Sequence, residues 1–336
     1  MKVFAPGKLI LSGEHAVVYG QPALAMAVNR YVIATAKPHI LPGVSFDLSD
    51  LAYQRRLSFS ALSLLKKRLK KNYERFIQGD FKIYDVLQKP FELAQVALML
   101  FVEMLNIKLT QGIKIHLQSD IPMGCGMGSS AATILSLMHA IAAHLEMDVP
   151  HDLLFRLGLQ AENMQHGFSS GLDLRISLHG GCLYLKDGET FSRAIPQMKM
   201  FLVNTGTPET TTGECVSAVA SYFKESSIAK DFSSATHALD QALQKNHWEE
   251  SLRAIAENHF LLTKIGVVPE RIQKFISEIE LQSGAAKICG AGAVRGDTAG
   301  VVLVFTEEEE LLKLLCENYR YEILPVMGET RGVHVV

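Results

Sequence analysis

At 336 residues the chain exceeds what one compact core usually serves, so two domains are the expected organisation. Its 48% hydrophobic and 20% charged residues describe an ordinary folded protein, and 33 basic against 35 acidic side chains exclude a nucleic-acid binder driven by bulk charge. Five cysteines (Cys125, Cys182, Cys215, Cys289, Cys316) have no metal-ligand spacing and cannot all pair; with no long apolar segment and no signal peptide indicated, a cytoplasmic protein without a membrane partner is expected.

Residues 2–35 read as strand, turn, strand. Lys8 stands among apolar residues that belong in a core, so it either snorkels to solvent or offers positive charge inside a cleft. Glu14 and His15 follow Gly13 at the turn, without the second histidine that a His-Glu-x-x-His zinc motif needs. Pro38, Pro42 and Gly43 then break the chain. A helix follows with Leu62, Leu65, Leu69, Tyr73 and Phe76 on one face and Lys66, Lys67, Arg68, Lys70 and Lys71 mostly on the other. That basic face reads as solvated, with a membrane or an acidic partner as the alternative. A second helix, over about 92–105, is apolar nearly all round and is expected to be buried. Ile113, Ile115 and Leu117 alternate with polar residues up to Ser119, the period of a half-buried strand.

The stretch that follows is the most informative. Residues 122–132 place Gly124, Gly126 and Gly128 at alternate positions, then Ser129, Ser130 and small helix formers, with an apolar helix running to about Leu145. Glycines let main chain approach a ligand, and the unpaired N–H groups of a first helical turn, at the positive end of the helix dipole, form a site for phosphate. Neither the dinucleotide fingerprint nor the Walker loop fits, since Gly128 is followed by serine rather than lysine. The alternative is a plain strand-to-helix turn in which Ser129 caps the helix.

Beyond a break at Val149 and Pro150, Asp152 is expected to cap a helix over about 153–165 that carries Glu162 near its end. Gly167-Phe-Ser-Ser-Gly-Leu-Asp173 leads to a glycine pair, Gly180 and Gly181, and a strand to Leu185. The polar, glycine-containing stretch 186–192 marks a domain boundary. A strand at 200–204 comes next, then Thr210, Thr211 and Thr212, whose hydroxyls either cap the following helix or touch a substrate. Two or three helices fill 232–281 around breaks at Gly266 and Pro269. A third glycine-rich segment, 287–300, runs into a Val-Val-Leu-Val-Phe strand, then a helix with acids at 307–310 and a terminal strand near Val333.

Three of these segments, 5–24, 122–132 and 287–300, resemble in order the three motifs of the GHMP small-molecule kinases. Within that family, Gly13-Glu-His-Ala-Val-Val-Tyr-Gly20 is most similar to the members that act on mevalonate. The third motif departs from the pattern: Ala293, Val294 and Arg295 stand where further glycines are usual, and Arg295 either reaches phosphate or substrate or marks a longer surface loop.

The resemblance implies an α+β fold in two domains. Residues 1–188 would form an N-terminal mixed-sheet domain with the glycine-rich phosphate loop, and 189–336 a C-terminal ferredoxin-like domain, with the active site between them. A doubly wound sheet would also carry such a loop, but the motif spacing favours the first architecture. The implied reaction is ATP-dependent phosphorylation of a small alcohol, mevalonate being the leading acceptor and a sugar or phosphomevalonate the alternatives. A catalytically silent ligand sensor on the same fold is the competing class. ATP would be held by Lys8, Ser119, Gly124, Cys125, Gly126, Met127, Gly128, Ser129 and Ser130, and magnesium by Ser130 and Glu162. Asp173 would take the alcohol proton or orient the hydroxyl, Lys8 would keep that carboxylate ionised, and Glu14, His15 and Asp173 would line the acceptor side. No nucleic-acid partner is implied, and the sequence leaves a homodimer open.

Overall fold

The computed structural model describes residues 1–122, 124–225 and 227–336, the side chain of Glu225 excepted; Met123, inside the glycine-rich stretch, and Ser226 lie outside the described residues. Strands β1 (Val3–Ser12) and β2 (Ala23–His39) pair antiparallel and form the spine of the first sheet. β3 (Val44–Leu48), β4 (Tyr53–Leu57) and β5 (Gly112–Ser119) extend it on the far side of β2, with β3 parallel to β5. β6 (Cys182–Lys186) and β7 (Glu189–Arg193) add to the other stretch of β2, and the terminal β12 (His334–Val335) adds to β1. One parallel pair among antiparallel ones makes the sheet mixed, as the α+β reading expects. The polar stretch 186–192 is the β6–β7 hairpin of this sheet. Asp187 and Gly188 at its tip have φ of 52° and 80°, the left-handed pair a two-residue hairpin turn demands.

Helices α1 (Phe59–Ile77), α2 (Glu92–Met104) and α3 (Ser129–His144) precede α4 (His151–His166) and α5 (Leu172–His179). α3 packs on β1 and β2, with α2, α4 and α5 around it. Its Ala131, Ala132, Ile134 and Leu135 are all fully buried, and the small side chains hold the helix close to the sheet. α2 is buried along most of its length, as its composition predicts. The basic face of α1 is used within the chain: Lys66 pairs with Glu103 and Arg68 with the buried Glu92 of α2. Asp152 lies in the first turn of α4, where it complements the dipole, but makes no cap bond because Pro150 occupies the cap position.

The second sheet has the order β11 (Glu322–Val326), β8 (Met200–Asn204), β10 (Val301–Phe305), β9 (Ala285–Ile288), antiparallel throughout. In sequence terms that is fourth, first, third, second, the arrangement of a ferredoxin-like split β-α-β. Three helices, α7 (Ile228–Gln244), α8 (Trp248–Lys264) and α9 (Glu270–Glu280), follow α6 (Thr212–Glu225) between β8 and β9; α10 (Glu309–Tyr319) joins β10 to β11. Alternate residues serve different cores, as the strand period dictates. Met200, Leu202, Leu303 and Phe305 join the core of the first sheet, while Phe201, Val203, Val302 and Val304 join a cluster with Phe275 and Ile276 of α9. The two sheets are thus bound through a shared interior, and the glycine-rich segments lie where they meet. Among the described residues no helix is long and apolar enough to cross a membrane.

Candidate active site

Gly124, Gly126 and Gly128 all have positive φ (71°, 77° and 72°), and two of them have no room for a side chain. A Cβ on Gly126 would lie 2.6 Å from the Cys289 carbonyl oxygen, and one on Gly128 would lie 2.9 Å from Cγ of Lys8. The loop is therefore pressed between the third glycine-rich segment and β1. Gly128, not Ser129, is the N-cap of α3, and no side chain caps the helix. The first helical bond runs from the Ala132 N–H to the Gly128 carbonyl at 3.1 Å, so the N–H groups of the preceding turn keep the character of an anion site.

Lys8 joins this loop to the acidic groups. A register shift between Pro6 and Gly7 bends β1 just before it, and the Lys8 N–H donates to the Met127 carbonyl at 2.9 Å. Its ammonium donates to the Gly126 carbonyl at 2.9 Å and lies 3.3 Å from Oδ1 of Asp173. The lysine side chain is 4% exposed and that of Asp173 is 33% exposed, so the pair has a buried cation and a carboxylate that still reaches solvent. Asp173 occupies the first turn of α5, entered through Gly171 at φ 73°, where the helix dipole favours a carboxylate.

Glu162 lies behind Asp173. Burial first, then repulsion from Asp173, push its carboxyl up to about 8, with Ser169 and Lys8 opposing. The Ser169 hydroxyl donates to Glu162 Oε2 at 2.6 Å and accepts from the Gly171 N–H at 3.0 Å, tying the turn before Asp173 to the end of α4. Ser130 does not bond to Glu162; its hydroxyl donates to Gln165 Oε1 at 2.9 Å, one turn further along α4. Glu162 is expected to make the ligand-free protein pH-sensitive. Because its folded value stands above the ordinary 4.5, the folded state holds a proton that the unfolded state releases, and stability falls as pH rises from about 4.5 towards 8. Thermal midpoints recorded across that window should fall for the wild type and flatten in Glu162→Gln; parallel curves would contradict the assignment.

The structure draws Glu14 and His15 inward rather than leaving them on an open acceptor face. Glu14 is 1% exposed and pairs with Lys287 of β9. Burial raises its carboxyl while Lys287 opposes the shift. His15 Nε2 lies 3.0 Å from the Ala291 carbonyl oxygen, and burial lowers its imidazole to about 4, which leaves it neutral. Ser119 ends β5 and turns its hydroxyl to the local bend, accepting from the Ile121 N–H at 3.0 Å. Thr211 forms the reciprocal cap of α6, its hydroxyl accepting from the Glu214 N–H at 3.3 Å, and Thr210 accepts from the Val294 N–H at 3.3 Å. Arg295 is exposed and pairs with Glu214 at 3.3 Å, so it belongs to the surface here.

Cys125 lies within the loop but is 4% exposed, and burial raises its thiol. A thiol reagent at neutral pH is expected to modify Cys125 on the order of tenfold more slowly than a free cysteine peptide, or slower still. Site-resolved mass spectrometry follows this directly, and labelling at the peptide's rate would place the thiol at the surface. Sequence reasoning missed Lys287 and Ser169. The first was visible as a lysine in an otherwise apolar strand, whereas the second carried no signal that distinguished it from its neighbour Ser170.

Several known proteins are similar to this chain. Residues 92–181 match the model for the GHMP kinases N terminal domain. The chain is 31% identical over 292 residues to a mevalonate kinase of Archaeoglobus fulgidus, covering 86% of this chain and 88% of that one. It is 26% identical over 329 residues to a mevalonate kinase of Methanocaldococcus jannaschii, covering 96% and 97%. A crystal structure of the Methanococcus jannaschii mevalonate kinase superposes with a TM-score of 0.81 over 98% of both chains, at 25% identity. Taken with the glycine-bound helix terminus and the Lys8–Asp173 pair behind it, these matches place the chain in the GHMP kinase family, among relatives that are mevalonate kinases.

Proposed function

We propose that this protein is an ATP-dependent kinase that phosphorylates mevalonate to 5-phosphomevalonate, acting in the cytoplasm that its cysteine pattern favours. The observation that carries the reading is Lys8, whose one ammonium group touches both the Gly126 carbonyl of the glycine loop and the Asp173 carboxylate. Phosphoryl transfer needs a held phosphate chain, neutralised charge and an aligned alcohol, and these groups supply each part.

The N–H groups of the loop and of the first turn of α3 would hold the phosphates of ATP. Asp173 would accept the alcohol proton or hold the hydroxyl in line, and Lys8 would offset charge on the group in transit. The residues also fit magnesium. Burial and Asp173 disfavour the charged form of the Glu162 carboxyl, which a cation would restore, and with the Ser130 hydroxyl it would offer oxygen donors of the kind this ion takes alongside water and phosphate. Bound magnesium would neutralise phosphate oxygens during transfer. Glu14 and His15 would shape the acceptor side from beneath, through the buried segment they anchor. We place the division between the two domains a few residues beyond the 188/189 boundary expected from sequence, between β7, which pairs with β6 in the first sheet, and β8, which opens the second.

The test is ADP release with magnesium and ATP against mevalonate, galactose, homoserine and phosphomevalonate. Turnover with mevalonate well above the other three is expected. Preference for another acceptor would reassign the substrate, and ATP binding without turnover on any of them would make the chain a ligand sensor.

A further inference from the structure

Among the described residues Lys287 is the largest polar side chain that is fully enclosed, at 0% exposure. Its ammonium has three protons and three acceptors, two on the first glycine-rich segment and one on its own strand. It donates to the Ile10 carbonyl of β1 at 3.0 Å, to the Ile288 carbonyl at 2.9 Å, and to the Glu14 carboxylate. The ladder between β1 and β2 shifts register between Ile10 and Ser12, where this contact is made. A second tie runs beside it, from His15 Nε2 to the Ala291 carbonyl at 3.0 Å.

Both ties fasten the third glycine-rich segment to the first. Two residues from Ile10 along β1, on the same strand face, is Lys8. Just beyond Ile288 are Cys289 and Gly290, which back directly onto Gly126: a Cβ on Gly290 would lie 2.7 Å from the Gly126 Cα. Stability alone does not call for this arrangement, since a buried ion pair is commonly replaced by apolar residues at no loss. What an apolar residue could not do is hold two main-chain carbonyls from different sheets at a fixed separation.

We propose that Lys287 is a positioning residue for phosphoryl transfer, locking the strand that carries Lys8 to the segment that supports the phosphate loop at Gly126. The proposal rests on the reading of that loop as the ATP site. Lys287 touches neither substrate; it sets the distance between the group that neutralises charge and the loop that holds the phosphates.

The test compares wild type, Lys287→Met and Glu14→Gln/Lys287→Met by thermal melting, by ATP binding in calorimetry without acceptor, and by acceptor-saturated turnover. The single variant leaves Glu14 buried without its counter-charge and is expected to melt lower; the double removes both charges and should recover most of the midpoint. In the double, ATP affinity and kcat are nevertheless each expected to fall by about tenfold or more, the scale of a sub-ångström to ångström misplacement. A double variant with wild-type ATP affinity and turnover would reduce the pair to a stability element. Should the double fail to fold, Glu14→Gln/Lys287→Gln, which keeps a polar side chain at both positions, takes its place; weaker ATP binding supports the positioning role, and wild-type binding overturns it. Because ATP binding is read without acceptor, a wrong acceptor would leave this result intact, whereas a wild type that binds no ATP would refute the underlying reading itself.

Discussion

Asp173→Asn is expected to lower kcat by about 10²- to 10⁴-fold, the range a positioned base contributes. Asparagine keeps the shape and removes the charge, so the hydroxyl of the acceptor loses its proton acceptor while the loop that holds ATP is untouched. ATP affinity should therefore change little. Stability gives a second, independent sign. Neutralising Asp173 lets the Glu162 carboxyl fall and ionise beside Lys8, which offsets the loss of that lysine's counter-charge, so the thermal midpoint should change little. An aspartate with a purely structural role predicts the reverse, a lower midpoint with modest loss of turnover. Acceptor-saturated rates and melting curves on the same preparations separate the two. Retention of more than about a tenth of wild-type kcat would contradict the assignment.

Lys8→Met carries the second largest expected effect. Its ammonium is the cation that meets Asp173 directly, at 3.3 Å, and it also lowers the Glu162 carboxyl. Its loss leaves the Asp173 carboxylate without its counter-charge beside Glu162 and removes a preorganised positive charge from the site of transfer. Loss of one such electrostatic group costs about 10²- to 10³-fold in kcat. Methionine keeps the length and apolar stem, so the core packing of β1 should survive. Lys8 also donates to the Gly126 carbonyl, and the KM for ATP is expected to rise, which separates this variant from Asp173→Asn. Since the two residues act as a unit, the double variant should lose far less than the product of the single losses. Fully multiplicative losses would mean that they act independently.

Sequence patterning exposed the parts of the molecule where local chemistry decides structure. The alternate glycines of 124–128 demanded positive φ and received it, and the apolar run of α2 announced a buried helix. The ferredoxin-like strand order came only through the family resemblance, because strands far apart in sequence carry no record of which neighbour they will choose. Capping was misjudged at Asp152, and the alternative reading of Ser129 as a cap fails for the same reason: both helices start earlier, with Gly128 and Pro150 in the cap position. The inward turn of Glu14 was not legible either: a carboxylate after a glycine looks solvated until its partner, 273 residues away, is brought to it by the fold. The hairpin at 186–192 shows the same limit, since Asp-Gly signals a turn equally well inside a sheet and between domains.

The γ-phosphoryl group of ATP is expected to pass to the hydroxyl of mevalonate at the site shared by Lys8, Asp173 and the glycine loop. Transfer of labelled γ-phosphate in a single turnover tests it without relying on ADP release, which ATP hydrolysis would mimic. With enzyme in excess over labelled ATP and with mevalonate and magnesium present, the label is expected to move to phosphomevalonate in the wild type. In Asp173→Asn it should remain on ATP over the same interval. Label that appears only as inorganic phosphate, or that reaches mevalonate equally fast in Asp173→Asn, would rule out this transfer.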